Sequence, residues 1–285
     1  MRGEARLGLI LLLAPLVLWL SLLIIIPHID MFLLSIRERV GVGKYATSAG
    51  NYGTFFNEPL YMWTFVRTAV MSVMATLITL LIGFPVAYYI AKMARGRSQA
   101  ALFLLCLVPF WVSELVRTFG SMILLRETGV FSSLLQWAGL ATGPVEMLYN
   151  DAAIMVGLVY TSMLFMVVPL VTTLQSLDDA VIEAGYDLGG SAPSILREIV
   201  IPHAMPGIVS GSIVVFMLSL GNYLTPTMLG GKDSLWFTEL IYLQFIVRFN
   251  WELGAAFGFM LLILSSLIVW AVLRMTGQTL EKTMG

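Results

Sequence analysis

The run SLDDAVIEAGYDLGGSAPSILREIVIPHAMPG, Ser176 to Gly207, decides the reading of this chain. It is polar and lies between two long apolar runs. Ser176 or Asp178 can cap a helix, with Asp179 the acidic partner three residues after Ser176. Ala180, Val181, Ala184 and Leu188 then fall on one apolar stripe. Gly189-Gly190 ends that helix, since glycine accepts the left-handed conformation of many helix stops. Ser191 can cap a second helix with Pro193 in its first turn and Ile195, Leu196 and Ile199 on its apolar side. Pro202 and Pro206 are expected to bend the chain as it re-enters an apolar run. Residues 176–206 therefore predict two short helices on a membrane surface, with a small-residue face that another protein could grip.

Composition supplies the membrane. The 285 residues are 59% hydrophobic and 12% charged, against about 25% charged in soluble domains. A net charge of −1 leaves no basic footprint for nucleic acid. Six stretches are long enough to span a bilayer, which needs about 20 apolar residues: roughly 7–34, 64–91, 99–124, 152–175, 207–229 and 254–273. The expectation is an all-α polytopic fold of six transmembrane helices in one transmembrane domain covering 1–285. The first run is too long for a signal-peptide core and reads as an uncleaved span.

Within this frame Arg67 is placed to snorkel, Pro85 to kink the second span and Pro109 to break the third. Residues 36–60 read as an irregular polar loop. Val130, Phe131, Leu134, Leu135 and Ala138 suggest a short surface helix, and Trp236, Phe237, Tyr242, Phe245 and Trp251 an interfacial one. The pairs Gly207…Gly211 and Gly254…Gly258 are either packing seams or chance in a glycine-rich chain.

Chemistry is sparse. Cys106 lies in an apolar run, and His28 and His203 have no metal-ligand spacing around them. No phosphate-binding loop, nucleophile elbow or zinc-protease motif occurs, so the energy for uphill transport would come from another polypeptide. Glu114 and Arg117 share a helix face: they form either an interfacial salt bridge or part of a passage. Asn222 and Tyr223 either line that passage or end a helix. A secondary transporter would need ionisable groups at mid-span, and most spans have almost none. A membrane-embedded enzyme would need a polar constellation at one depth, and none is visible.

Glu183-Ala184-Gly185, Gly189, Ile199 and Pro202 resemble the EAA loop of bacterial ABC-importer permeases, with Gly185 where alanine is usual and Ile201 where leucine is usual. Val108-Pro109-Phe110-Trp111, Leu115-Val116-Arg117, Gly157-Leu158-Val159-Tyr160, Met205-Pro206-Gly207-Ile208 and Leu229-Gly230-Gly231 are similar to the first permease subunit of spermidine/putrescine importers. The resemblance covers most of the chain after Asn51 and implies a type I, MetI-like permease fold. It implies partners as well: a second homologous permease, two ATPase subunits that hold the ATP and magnesium, and a periplasmic binding protein. No cofactor is expected on this chain itself.

The resemblance also implies a multi-pass protein of the bacterial inner membrane, with both termini and the 176–206 loop cytoplasmic; the distribution of positive charge is too even to orient it. Glu183, Ala184, Gly185, Gly189, Ile199 and Pro202 would couple to the ATPase, and Trp111, Glu114, Arg117, Asn222 and Tyr223 are candidates for the translocation path. A polyamine would suit Glu114 with Trp111, or Glu239 with Trp236 and Tyr242, by charge and cation–π attraction. Another small solute stays open.

Overall fold

The computed structural model describes residues 12–41 and 44–277. The start of the expected first span and both chain ends lie outside these. The described residues are mostly helical and fall in two compact units, one within Met1–Met62 and Leu240–Ile263, the other within Trp63–Glu239 and Leu264–Gly285.

The first unit begins with α1, Leu12–Ser35, an apolar helix of membrane-spanning length with none of its apolar window buried. A helix that is apolar all round and unburied suits lipid. Residues 36–41 and 44–57 form regular elements where an irregular loop was expected. β1, Arg37–Gly41, pairs antiparallel with β2, Lys44–Thr47, and α2, Gly50–Asn57, follows. Asn51 of α2 donates to the carbonyls of Ser35 and Arg37 at 3.0 and 2.7 Å, and the Tyr52 hydroxyl donates to Ser35 at 2.8 Å. Those bonds turn a polar sequence into a fixed hairpin. Phe55 and Phe257 meet edge to face in this unit, both fully buried.

In the second unit α3, Pro59–Met93, passes Pro85 without a break and ends in a wide five-residue turn at Tyr89–Met93. The third expected span is a broken one. α4, Arg97–Trp111, and α5, Glu114–Trp137 in outline, meet at 94°. The break falls at Val112-Ser113 and not at Pro109, which sits inside a tight turn at Val108–Trp111. Ser113 caps the new helix by accepting from the Val116 amide, which sets the break there. The second half of α5 contains its own short helix, Val130–Trp137, where the surface helix was expected.

α6, Asp151–Gln175, is the most deeply buried of the long helices, with 56% of its apolar window covered. α7, Asp179–Asp187, follows after three residues, and α8 then runs unbroken over Ala192–Leu220. This corrects the expectation of a second short helix ended by Pro202 and Pro206. A wide turn at Leu196–Val200 loosens the helix just before Pro202, where the ring would otherwise crowd the preceding turn. The fifth span accordingly begins near Ala192 and ends at Leu220, not at 229. Gly221-Asn222-Tyr223 interrupts the helix, and α9, Leu224–Leu229, is separate.

α10 is Phe237–Val247, and α11, Trp251–Thr276, is the last apolar helix. Trp236 and Phe237 are fully buried, which corrects their interfacial placement. Phe237 packs edge to face on Phe65, and its amide donates to Thr68. Among the described residues, five long helices and the broken pair, counted as one span, match the six expected.

A close seam joins α8 to α6. A Cβ on Gly207 would lie 2.6 Å from Thr173 Oγ1 and 2.7 Å from the Pro169 carbonyl oxygen, and one on Gly211 would lie 3.0 Å from Met166 Sδ. This glycine pair is therefore a true packing seam. In the other pair Gly254 is pressed by the Phe245 ring, whereas Gly258 has ordinary room.

Candidate functional site

Two places in the second unit carry the candidate residues. The first is the turn between α6 and α8. Asp178, not Ser176, caps α7 by accepting from the Ala180 amide at 3.0 Å. The Ser176 hydroxyl instead meets His203 Nε2 at 3.0 Å. Gly189 ends α7 with φ +85°, as its sequence position requires. Its amide donates to Tyr186 at 2.9 Å and the Gly190 amide to Gly185 at 3.0 Å, a Schellman stop that satisfies two free carbonyls. Ser191 occupies the expected N-cap position but makes no side-chain capping bond.

Gly185 faces α8: a Cβ there would lie 2.9 Å from Ile199 Cδ1 and 3.4 Å from Ile195 Cγ1. The two isoleucines therefore fit against α7 because the position is glycine, even though the family pattern has alanine. Glu183, Ala184, Gly185 and Gly189 lie on α7 and its stop, Ile199 and Pro202 on the first turns of α8, and Gly185 against Ile199 joins the two sets, with Leu188 90% exposed. Among the described residues, α7 has no buried side chain. Lys92 of α3 ties the element down: its ammonium donates to the Leu177 carbonyl and to Asp179 at 2.8 Å. That hydrogen bond, then the lysine charge, hold the Asp179 carboxyl below the usual carboxylate range, with Arg95 adding to the effect.

The second place is a cavity of about 630 Å³ between α4–α5, α6 and the α8–α9 break. Glu114, Arg117, Asn222 and Tyr223 all line it. Trp111 does not, being 80% exposed on another surface. Glu114 and Arg117 do not pair, although they stand three positions apart on one helix. Asn222 Nδ2 donates to Glu114 Oε1 at 2.7 Å, linking the two helix breaks. The Asn222 Oδ1 also caps α9 through the Thr225 amide at 2.9 Å, so the residue both lines the cavity and ends a helix. The Arg117 guanidinium lies 5.1 Å above the Phe110 ring and donates to the Thr161 carbonyl at 3.4 Å. Arg117 Nε and Ser219 Oγ, on two of the lining residues, are buried without a hydrogen-bond partner.

Non-helical backbone at membrane depth is tolerated where it is buried in protein or lines a cavity, and both breaks do the latter. The Glu239, Trp236 and Tyr242 alternative does not form part of this cavity.

Sequence reading missed the α6 wall, Thr161, Ser162 and Phe165. The adjacent pair Thr161-Ser162 in an apolar run was the available signal. It also missed the clamps: Arg67 does not snorkel but pairs with Asp151 and donates to the Leu235 carbonyl at 2.5 Å. Such pairs join residues far apart in sequence and leave no local pattern.

The whole architecture matches known transporters. The chain is similar to a bacterial ABC transporter involved in the import of the acidic polysaccharide alginate, with TM-score 0.77 and 16% identity over 97% of this chain and 98% of that one. It is similar too to the alginate transporter in complex with an alginate pentasaccharide-bound periplasmic protein, with TM-score 0.80 and 15% identity over 99% and 96% of the two chains. At these identities the likeness concerns the fold.

Sequence relatives are nearer. The spermidine/putrescine transport system permease protein PotB of Escherichia coli is 32% identical over 92% of this chain and 97% of its own length. That of Haemophilus influenzae is 32% identical over 90% of each. The family model of binding-protein-dependent transport system inner membrane components matches residues 83–277. The broken helices, the two-helix turn and these matches agree, and the chain belongs to the family of binding-protein-dependent transport system inner membrane components, as a multi-pass ABC-importer permease rather than the subunit that hydrolyses ATP.

Proposed function

We propose that this permease carries polyamine cations, spermidine or putrescine, inward across the bacterial inner membrane. The observation that carries the substrate is the identity of 32% over 92% of the chain to a relative named for those two compounds. The cavity suits the role: Glu114 offers a carboxylate beside the aromatic faces of Phe110, Phe165 and Tyr223. Arg117 balances that charge within the same cavity, so selection of a polycation rests with a periplasmic binding protein, and the cavity provides a passage.

The complex in this reading holds a second homologous permease, two ATPase subunits and the binding protein. ATP and magnesium are bound by the ATPases and no cofactor by this chain, which works as one permease domain. The termini and the 176–206 loop face the cytoplasm. Glu183, Ala184, Gly185, Gly189, Ile199 and Pro202 dock the ATPase; in support, α7 has no fully buried residue and meets the start of α8 where Gly185 faces Ile199. Glu114, Arg117, Asn222 and Tyr223 line the path, and Trp111, exposed at the helix break, faces lipid or the second permease.

The test is ATP hydrolysis by the whole complex in lipid, with and without its binding protein loaded with spermidine or putrescine. Stimulation by the loaded protein supports the proposal. An active complex deaf to both polyamines removes the substrate and keeps the importer.

A further inference from the structure

We infer that Lys92 is a positioning residue that fastens the ATPase-facing turn to α3, so that a push on α7 moves α3 and α6 as one body. The inference rests on the proposed docking role of the turn.

α7 has no fully buried side chain; it joins α6 through Ser176, Leu177 and Asp178 and rests on α8 where Gly185 meets Ile195 and Ile199. A direct push from α7 to α3 needs a link between those two helices. Lys92 is that link. Its side chain is only 7% exposed, and its ammonium binds the Leu177 carbonyl and the Asp179 carboxylate. A lysine held this far from water needs charge-assisted partners, and both of its partners belong to the turn.

The opposite end of α3 has a matching fastening. Arg67 binds Asp151, the first residue of α6, and the Leu235 carbonyl, while the Ser234 hydroxyl donates to Asp151 at 2.8 Å. Arg67 and Lys92 stand about 37 Å apart along the helix. Between them a Cβ on Gly83 would lie 3.2 Å from Met166 Cγ, so α3 and α6 also meet closely at mid-length. The two helices are thus joined at both ends and in the middle. Because α6 supplies Leu158, Thr161 and Phe165 to the cavity, this frame delivers movement of the turn to the cavity wall.

The experiment uses the whole complex in proteoliposomes and reads spermidine and putrescine uptake per ATP hydrolysed. Lys92→Met and Asp179→Asn are expected to keep hydrolysis and to lower that ratio about tenfold, the factor set by losing one charge-assisted hydrogen bond. Lys92→Arg should restore most of it, and Lys92→Glu combined with Asp179→Lys should exceed Lys92→Glu alone. Asp179 is exposed, so its variant reads the link even if Lys92→Met lowers the amount of complex.

A wild-type ratio in Asp179→Asn, or in Lys92→Met at wild-type amount, overturns the inference. Glu183→Lys separates the two readings. If it uncouples while the Lys92 and Asp179 variants do not, only the frame is wrong. If it leaves coupling intact, the docking role falls and the inference with it.

Discussion

Replacing Gly207 with alanine tests the α6–α8 seam most directly. The added Cβ would sit 2.7 Å from the Pro169 carbonyl oxygen and 2.6 Å from Thr173 Oγ1, where ordinary contact begins near 3.4 Å. The hydroxyl cannot easily turn away, because it donates to that same Pro169 carbonyl at 2.8 Å. Nor can the carbonyl move without moving α6. The helices must therefore separate by about 0.7 Å, a strain of the overpacking kind that costs about 1–3 kcal/mol. For a chain of this size that lowers the melting temperature by about 2–12 °C.

Gly211→Ala is the matched control. Its closest neighbour is the Met166 sulfur at 3.0 Å, and a methionine side chain can shift; the expected cost is under about 1 kcal/mol. The assay is thermal unfolding of the complex in detergent and lipid, followed by retention of the monodisperse peak after heating. A Gly207→Ala complex that melts with the wild type would refute the seam as the structure draws it. So would a Gly211→Ala variant that loses as much.

Three other outcomes are expected. Glu114→Gln should cut polyamine uptake about tenfold, as loss of a charged hydrogen-bonding partner does, while binding-protein stimulation of hydrolysis survives; unchanged uptake would remove Glu114 from the path. Gly189→Val forces a branched side chain into a left-handed conformation at φ +85°, a strain of about 1–2 kcal/mol, and should lower co-purification of the ATPase without altering the melting of the long helices. The Asp179 carboxyl is held below its ordinary range by Lys92, so the link is present above that range and lost only as pH falls through the lowered value. Uptake per ATP should accordingly not change through this group between pH 8 and pH 5, and a fall in the wild type that Asp179→Asn abolishes would contradict it.

The sequence by itself determined the features written in local pattern. Long apolar runs gave the spans, because a bilayer demands about 20 such residues in a row. Ser176 or Asp178 at one end and Gly189 at the other marked the bounds of α7, because caps and left-handed stops depend on a residue and its nearest neighbours; the structure chose Asp178. Glu114 and Asn222 stood out as polar residues near the ends of apolar runs, and they do meet.

Tertiary structure alone decided the rest. Pro202 carries the local signature of a bend, yet α8 continues through it, since a wide turn and packing against α6 hold the helix together. Arg117 sits three residues from Glu114 but stacks on Phe110, and Glu114 takes its partner from a helix break 108 residues away. Trp236 looked interfacial and is buried. Arg67 and Lys92 looked like ordinary ends of a span and clamp it to α6 and the turn. Each of these depends on which distant segment fills the neighbouring space, and composition, period and spacing carry no record of that.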